Sequence, residues 1–254
     1  MATANLDEQR EVVYAALSQF ASERSCWYKN DKAINLKSLM EKDIVMFAAR
    51  GVETADDFVV EAFHAKESTS EETVMGSLRQ KICSAVSADT LDTGDMTTLR
   101  DGDLYICELK SQANTTNSSS FPQELRELKD KCEAMSRFRR ASNQRILPAF
   151  CVMRNKKAID EWRTFTPSAR DKANIDLSGF RYRYLAGAGF WNWLIGMDSV
   201  DDLIADFAHV DLGDVREARE ECISRLKREM SEALKEEGLG HSMNDVLELR
   251  RRRF

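Results

Sequence analysis

Gly94-Asp-Met-Thr-Thr-Leu-Arg-Asp-Gly-Asp-Leu-Tyr-Ile-Cys-Glu-Leu-Lys110 is the stretch whose reading decides the fold. Its centre, Asp101-Gly102, is a favoured two-residue hairpin turn, because both positions need a positive φ. With a tight turn there, Arg100 lies opposite Asp103 and every further pair of residue numbers sums to 203. Asp95 then falls opposite Glu108, on the same face, with Cβ atoms about 4.5–5.5 Å apart. Side chains alternate along a strand, so Lys110 shares the face of Glu108. Thr97, Leu99, Leu104 and Ile106 share it too and read as core. Two carboxylates and a lysine therefore converge at the end of an apolar strip.

Like charges opposite each other on a sheet are destabilising. The pair Asp95 and Glu108 calls for a compensating cation, and Lys110 supplies one charge. Mg²⁺ would supply two, since it takes one or two carboxylates together with waters and phosphate oxygens. Such a centre suits phosphodiester hydrolysis, with Lys110 holding or deprotonating the attacking water or stabilising the pentavalent transition state. A surface hairpin carrying an ordinary Glu–Lys pair is the plain alternative.

Outward from the hairpin, Phe121, Leu125, Leu128, Cys132, Met135 and Phe138 fall on one stripe and predict a helix from about Pro122 to Arg140. The continuous apolar run Ile146–Met153 predicts a buried strand. Phe180–Leu185 alternates as a further strand, and a short aromatic helix begins at Gly189. Ahead of the hairpin, Val74, Leu78 and Ile82 predict a helix, and Ser68 with Glu71 or Thr69 with Glu72 would cap its start. A hairpin followed by a crossover helix and a strand describes a mixed α/β sheet flanked by helices. Residues 66–197 are the expected core. Residues 1–65 and 198–254 read as helical extensions, with a long charged helix from Val215 to Glu237 and a basic tail, Arg250–Arg253, expected to be a disordered end.

The composition is that of a soluble globular chain, 43% hydrophobic and 31% charged, with no apolar run of membrane-spanning length. The polar start carries no secretory signal, and the scattered cysteines Cys83, Cys107, Cys132 and Cys151 read as buried thiols in a reducing cytoplasm. There is no CxxC pair, and the three histidines are isolated. P-loop, dinucleotide-binding and G-x-S-x-G patterns are missing, so no nucleotide cofactor is expected. The net charge of −6 speaks against a nucleic-acid partner, but residues 121–185 carry 15 Lys and Arg against 8 Asp and Glu. A basic middle in an acidic chain suits a DNA cleft; chance clustering on a solvated surface is the alternative.

Asp95 with Glu108-Leu-Lys110 resembles the motif of the PD-(D/E)XK nuclease superfamily, with Gly94 in place of its proline. Three segments resemble a group of type II restriction endonucleases within it. These are Ser70-Glu-Glu-Thr-Val-Met-Gly76-Ser-Leu78, Leu109-Lys110-Ser111-Gln-Ala-Asn114-Thr-Thr-Asn117, and Tyr184-Leu-Ala-Gly187-Ala-Gly-Phe190-Trp191-Asn-Trp193-Leu194. The last is similar to members that read interrupted GG–CC palindromes. The resemblance implies a restriction-endonuclease-like core, Mg²⁺, a double-stranded DNA substrate, and a homodimer in a prokaryotic cytoplasm. Asp95 and Glu108 would be metal ligands and Lys110 the catalytic lysine. Glu72 would contact a metal-bound water, with Glu71 its rival and an N-cap role its alternative. Ser111, Gln112, Asn114, Asn117 and Arg140 would contact DNA, where loop and helix-cap roles compete. Trp191 and Trp193 read as core or dimer interface rather than as a base-stacking platform. A junction-resolvase-like nuclease and a non-catalytic DNA-binding protein remain open on these residues.

Overall fold

The computed structural model describes residues 6–86, 96–112, 120–138, 144–167, 172–204 and 207–254. The chain divides into two compact units, one made of residues 1–16 and 76–209 and the other of residues 17–75 and 210–254.

The first unit holds a five-stranded sheet of β1 (Met96–Arg100), β2 (Asp103–Gln112), β3 (Ile146–Arg154), β4 (Ile159–Thr164) and β5 (Arg181–Ala186), ordered β1-β2-β3-β5-β4. The hairpin forms as its turn residues require, with φ of 53° at Asp101 and 84° at Gly102. Arg100 pairs with Asp103, Leu99 with Leu104, and the ladder runs to Met96 opposite Cys107. β2 and β3 are parallel, with Glu108 beside Phe150 and Lys110 beside Val152. β3 and β5 are also parallel, and β4 returns antiparallel on β5. This is the expected mixed α/β sheet.

Among the helices of this unit, α5 (Phe121–Phe138) makes the crossover from β2 to β3. It places Leu125 and Leu128, both fully buried, and Cys132 on the sheet. Leu128 and Cys132 pack with Ile106, and Leu125 packs with Phe150 and Val152. Burying each such leucine contributes about 1.5–3 kcal/mol. On the other face, Cys83 meets Met153, sulfur to sulfur at 3.6 Å. The short α6 (Ala188–Ile195) buries Phe190, Trp191 and Leu194. Trp191 donates its indole N–H to the Met153 carbonyl at 2.9 Å, whereas Trp193 stands edge-on to Tyr105. Two tryptophans two positions apart cannot share one helix face, so Trp191 enters the core and Trp193 is only half-buried, against Tyr105.

Three details differ from the sequence reading. Strand β4 was not expected, because Ile159-Asp-Glu-Trp-Arg-Thr164 is a charged, largely exposed edge strand with no apolar alternation. The helix expected to start near Ser68 is part of one long α4 (Ala55–Val86). Its hydroxyls do not cap: Thr69 donates to the Ala65 carbonyl at 2.9 Å and Thr73 to the Thr69 carbonyl at 3.2 Å, which lets a polar segment stay helical. The basic tail is also ordered, as α8 (Met243–Arg253). Arg253 reaches Glu236 at 2.8 Å and Glu237 at 2.7 Å, and Arg252 reaches Glu248 at 3.0 Å.

The second unit is helical. Residues 17–29 of α1 (Leu6–Lys29), α2 (Leu36–Met40), α3 (Ile44–Ala49), residues 55–75 of α4, α7 (Val215–Glu236) and α8 enclose Leu39, Phe47, Phe58, Phe63, Leu226, Met230 and Leu249. Buried among them is a polar network: Glu67 accepts two bonds from Arg219, at 2.7 and 2.9 Å, and one from the Tyr28 hydroxyl at 2.7 Å. Arg24, 2% exposed, lies over the rings of Trp27 and Tyr28 and donates to Ser70. No helix among the described residues is long and apolar enough to cross a membrane.

Candidate active site

Strand β2 carries Glu108 and Lys110 on one face, as alternation requires, and α5 covers that face. Lys110 Nζ lies 2.9 Å from Glu108 Oε1 and 3.1 Å from Glu124 Oε1 on α5. Lys131, two helical turns beyond Glu124, places its Nζ 3.4 Å from Glu108 Oε2. Glu108 is only 6% exposed, a depth at which a carboxylate stays ionised only if it is paired. It has a lysine on each oxygen. Burial works to lower the Lys110 pKa, but the carboxylates of Glu108 and Glu124 outweigh it and hold the ammonium above the usual lysine range. Lys110 is therefore a fixed cation at neutral pH.

Glu124 and Lys131 were not singled out in the sequence. Their signal is their spacing: they flank the apolar stripe of α5 at positions i and i+7, on a helix that must pack over β2. Glu124 is the unsettled member. Its second oxygen is buried and has no hydrogen-bond partner. A buried carboxylate oxygen left open costs free energy that a cation, or a water held by one, would recover. Carboxylate oxygens are also the donors that a hard ion such as Mg²⁺ prefers. Among the described residues no group of three or more His, Cys, Asp and Glu is gathered for a metal. Asp95 lies outside the described residues, one position before Met96.

The remaining expected site residues fall in several places. Ser111 accepts a hydrogen bond from Arg79 Nη1 at 3.2 Å, on the opposite face of β2 from Lys110. Gln112 ends the strand and lines a groove of about 840 Å³ with Arg154, Lys156 and Lys157. Glu72 is exposed on the part of α4 that belongs to the helical unit. Its rival Glu71 is 3.6 Å from Arg24, and its pKa is raised by burial and then by the neighbouring Glu67. Asn114, Asn117 and Arg140 lie outside the described residues.

A mixed five-stranded sheet with a crossover helix, and a Glu-x-Lys pair on its second strand, is consistent with a nuclease-type α/β core. The chain matches the family model of the type II restriction endonuclease EcoO109I over residues 7–208, and it belongs to that family. It is accordingly a type II restriction endonuclease, a hydrolase that cuts DNA site-specifically. No curated protein matches it.

Proposed function

We propose that this enzyme hydrolyses phosphodiester bonds in double-stranded DNA with Mg²⁺, at a short palindrome, from a PD-(D/E)XK centre made of Asp95, Glu108 and Lys110. The observation that carries the reading is the Glu108–Lys110 pair, 2.9 Å apart and largely buried at the far end of β2. Asp95 and Glu108 would hold the ion. Glu124, 3.1 Å from Lys110, keeps a buried oxygen unpaired. With Asp95 counted, three carboxylates meet two lysines, an excess of negative charge that a divalent cation neutralises.

Bound there, Mg²⁺ would acidify a water and polarise the scissile phosphate. The protein's own share follows from its charges. Lys110 is held as an ammonium, so it donates: it fixes the attacking water by a hydrogen bond and offsets the charge that builds on the phosphoryl oxygens. Glu108 and Glu124 fix the lysine, so its position requires no rearrangement as charge develops. The resemblance assigns Glu72 to a metal-bound water, and its carboxylate is solvent-exposed. Ser111, Gln112, Asn114, Asn117 and Arg140 are proposed DNA contacts.

A homodimer with twofold symmetry would read a palindrome, each subunit cutting one strand. The segment Tyr184–Leu194 supports kinship with readers of interrupted GG–CC sites. Phe190, Trp191 and Leu194 in it are core, so the likeness there is one of scaffold and not of base contact. Digestion of phage DNA tests the proposal. Discrete fragments with Mg²⁺ and none with EDTA or with Glu108→Ala are expected; a smear, or cutting directed to branched DNA, would overturn the sequence-specific reading.

A further inference from the structure

At the carboxyl ends of β2 and β3, positive charge collects in excess of acid: Arg79, Arg154, Lys156 and Lys157 stand against Asp198 and Asp201. Gln112 pairs in register with Arg154, two residues beyond the pairing of Lys110 with Val152. The next residues, Asn155, Lys156 and Lys157, form a tight turn in which the Asn155 side-chain amide donates to the Lys157 carbonyl at 3.0 Å. On the other side of the strand end stands Arg79, hydrogen-bonded to Ser111. Among the described residues, no carboxylate comes within ion-pair range of Arg79, Arg154, Lys156 or Lys157. Asp198 lines the same groove, but it accepts a hydrogen bond from Asn192.

The turn is held in place by two glycines. A Cβ on Gly187 would lie 2.5 Å from the Asn155 carbonyl oxygen, and one on Gly189 would lie 2.3 Å from that of Ile159. Only glycine lets the start of α6 press so closely on the turn, and Gly187 also has a φ of 54°. The lysines are thereby presented from a segment packed closely against the start of α6. Arg79 carries a cost: burial lowers its pKa and repulsion from Arg154 lowers it further, and the attraction of Asp201 only partly offsets them. Two neighbouring guanidinium groups with no ion-paired carboxylate repel each other in the free protein and are relieved once an anion lies between or across them.

We infer that this groove seats the sugar-phosphate backbone of the duplex, with Arg154, Lys156 and Lys157 on the phosphates beside the scissile one and Arg79 behind them. The position fits. Gln112 and Arg154 lie roughly 7 Å along the strands from the level of Lys110. The groove, about 840 Å³, opens at the sheet end where ligands of α/β proteins commonly bind. The inference deepens the nuclease reading by assigning the contacts that position DNA without reading its sequence.

The test is binding of a short fluorescent duplex of arbitrary sequence in EDTA, across a salt series. For the double variant Lys156→Ala, Lys157→Ala, the slope of log affinity against log salt should fall by about 1.8, since each phosphate contact contributes about 0.9. Affinity should fall equally on duplexes of different sequence, and the charge-keeping K156R/K157R pair should restore the slope. Arg154→Ala should lower the slope by about half as much. An unchanged slope with unchanged affinity overturns the inference, as does a loss confined to one sequence. The readout needs no cleavage. If the enzyme cut nothing but the slopes still fell, the groove would stand and the hydrolytic reading would fail. Cutting with unmoved slopes would remove the groove alone.

Discussion

The two ends of β2 treat charge in opposite ways. At the turn end, Asp103 receives both a 2.8 Å bond from Arg145 Nε and a second from its Nη2, and the pair is closed. At the far end, Glu108, Lys110, Glu124 and Lys131 are crowded together and still leave a buried oxygen of Glu124 open. A step further on, Arg79, Arg154, Lys156 and Lys157 have no carboxylate within ion-pair range among the described residues. One strand with one hydrogen-bond ladder thus carries a finished surface at one end and an unfinished one at the other. Unsatisfied buried polar groups are rare in folded proteins, and where they cluster they mark a site completed by something else.

The comparison breaks most sharply at Lys110. Lys110→Ala should lower cleavage about 10²–10³-fold, the usual loss for one group that stabilises transition-state charge. Binding of duplex in EDTA should be retained, and parallel loss of binding would show that the lysine holds DNA and not the reaction. Glu124→Gln comes next. It should raise the Mg²⁺ concentration needed for half-maximal cleavage about 10–100-fold, as loss of a supporting carboxylate does. Binding of Tb³⁺, followed by luminescence, should weaken alongside; an unmoved metal dependence would make Glu124 a structural partner of Lys110 only.

The closed end should respond far less. Arg145 holds the Asp103 carboxyl below its usual range. A carboxylate depressed on folding contributes stability above its unfolded pKa, near 4, and loses it as pH falls through the folded value. Asp103→Asn should therefore flatten only the acid limb of a stability profile and leave cleavage at neutral pH unchanged. A loss of cleavage there would refute the contrast between the two ends.

The helical unit supplies a second polar network for reference. Burial and the hydrogen bond to Glu67 push the Tyr28 phenol up to about 12. Its contribution is full below about pH 10 and lost as pH rises through the folded value. In an ultraviolet titration, Tyr28→Phe should delete a phenol from the alkaline end of the curve. A deletion near pH 10 would show that the network is open to water.

Much of the sheet was legible because its signals are local. Asp101-Gly102 fixes the turn, the turn fixes the register, and the register put Met96 opposite Cys107 with no information from elsewhere in the chain. The stripe of α5 was likewise readable from spacing alone. Strand β4 was not, because an edge strand is held by hydrogen bonds to its neighbour and needs no apolar pattern of its own. Nor was the unbroken course of α4 through Ser68, Thr69 and Ser70. The same hydroxyls that cap helices can bond back to the preceding turn, and only the surroundings choose between the two.

For the site, the sequence determined which groups share the Lys110 face of the β1–β2 hairpin, since alternation and a two-residue turn allow one answer. The tertiary structure decided what surrounds them. Glu124 reaches Lys110 only because the crossover helix docks over β2, and the turn carrying Lys156 and Lys157 is set only because two glycines let α6 approach it. Packing between distant segments sets those positions, and a spacing rule within one segment does not encode them.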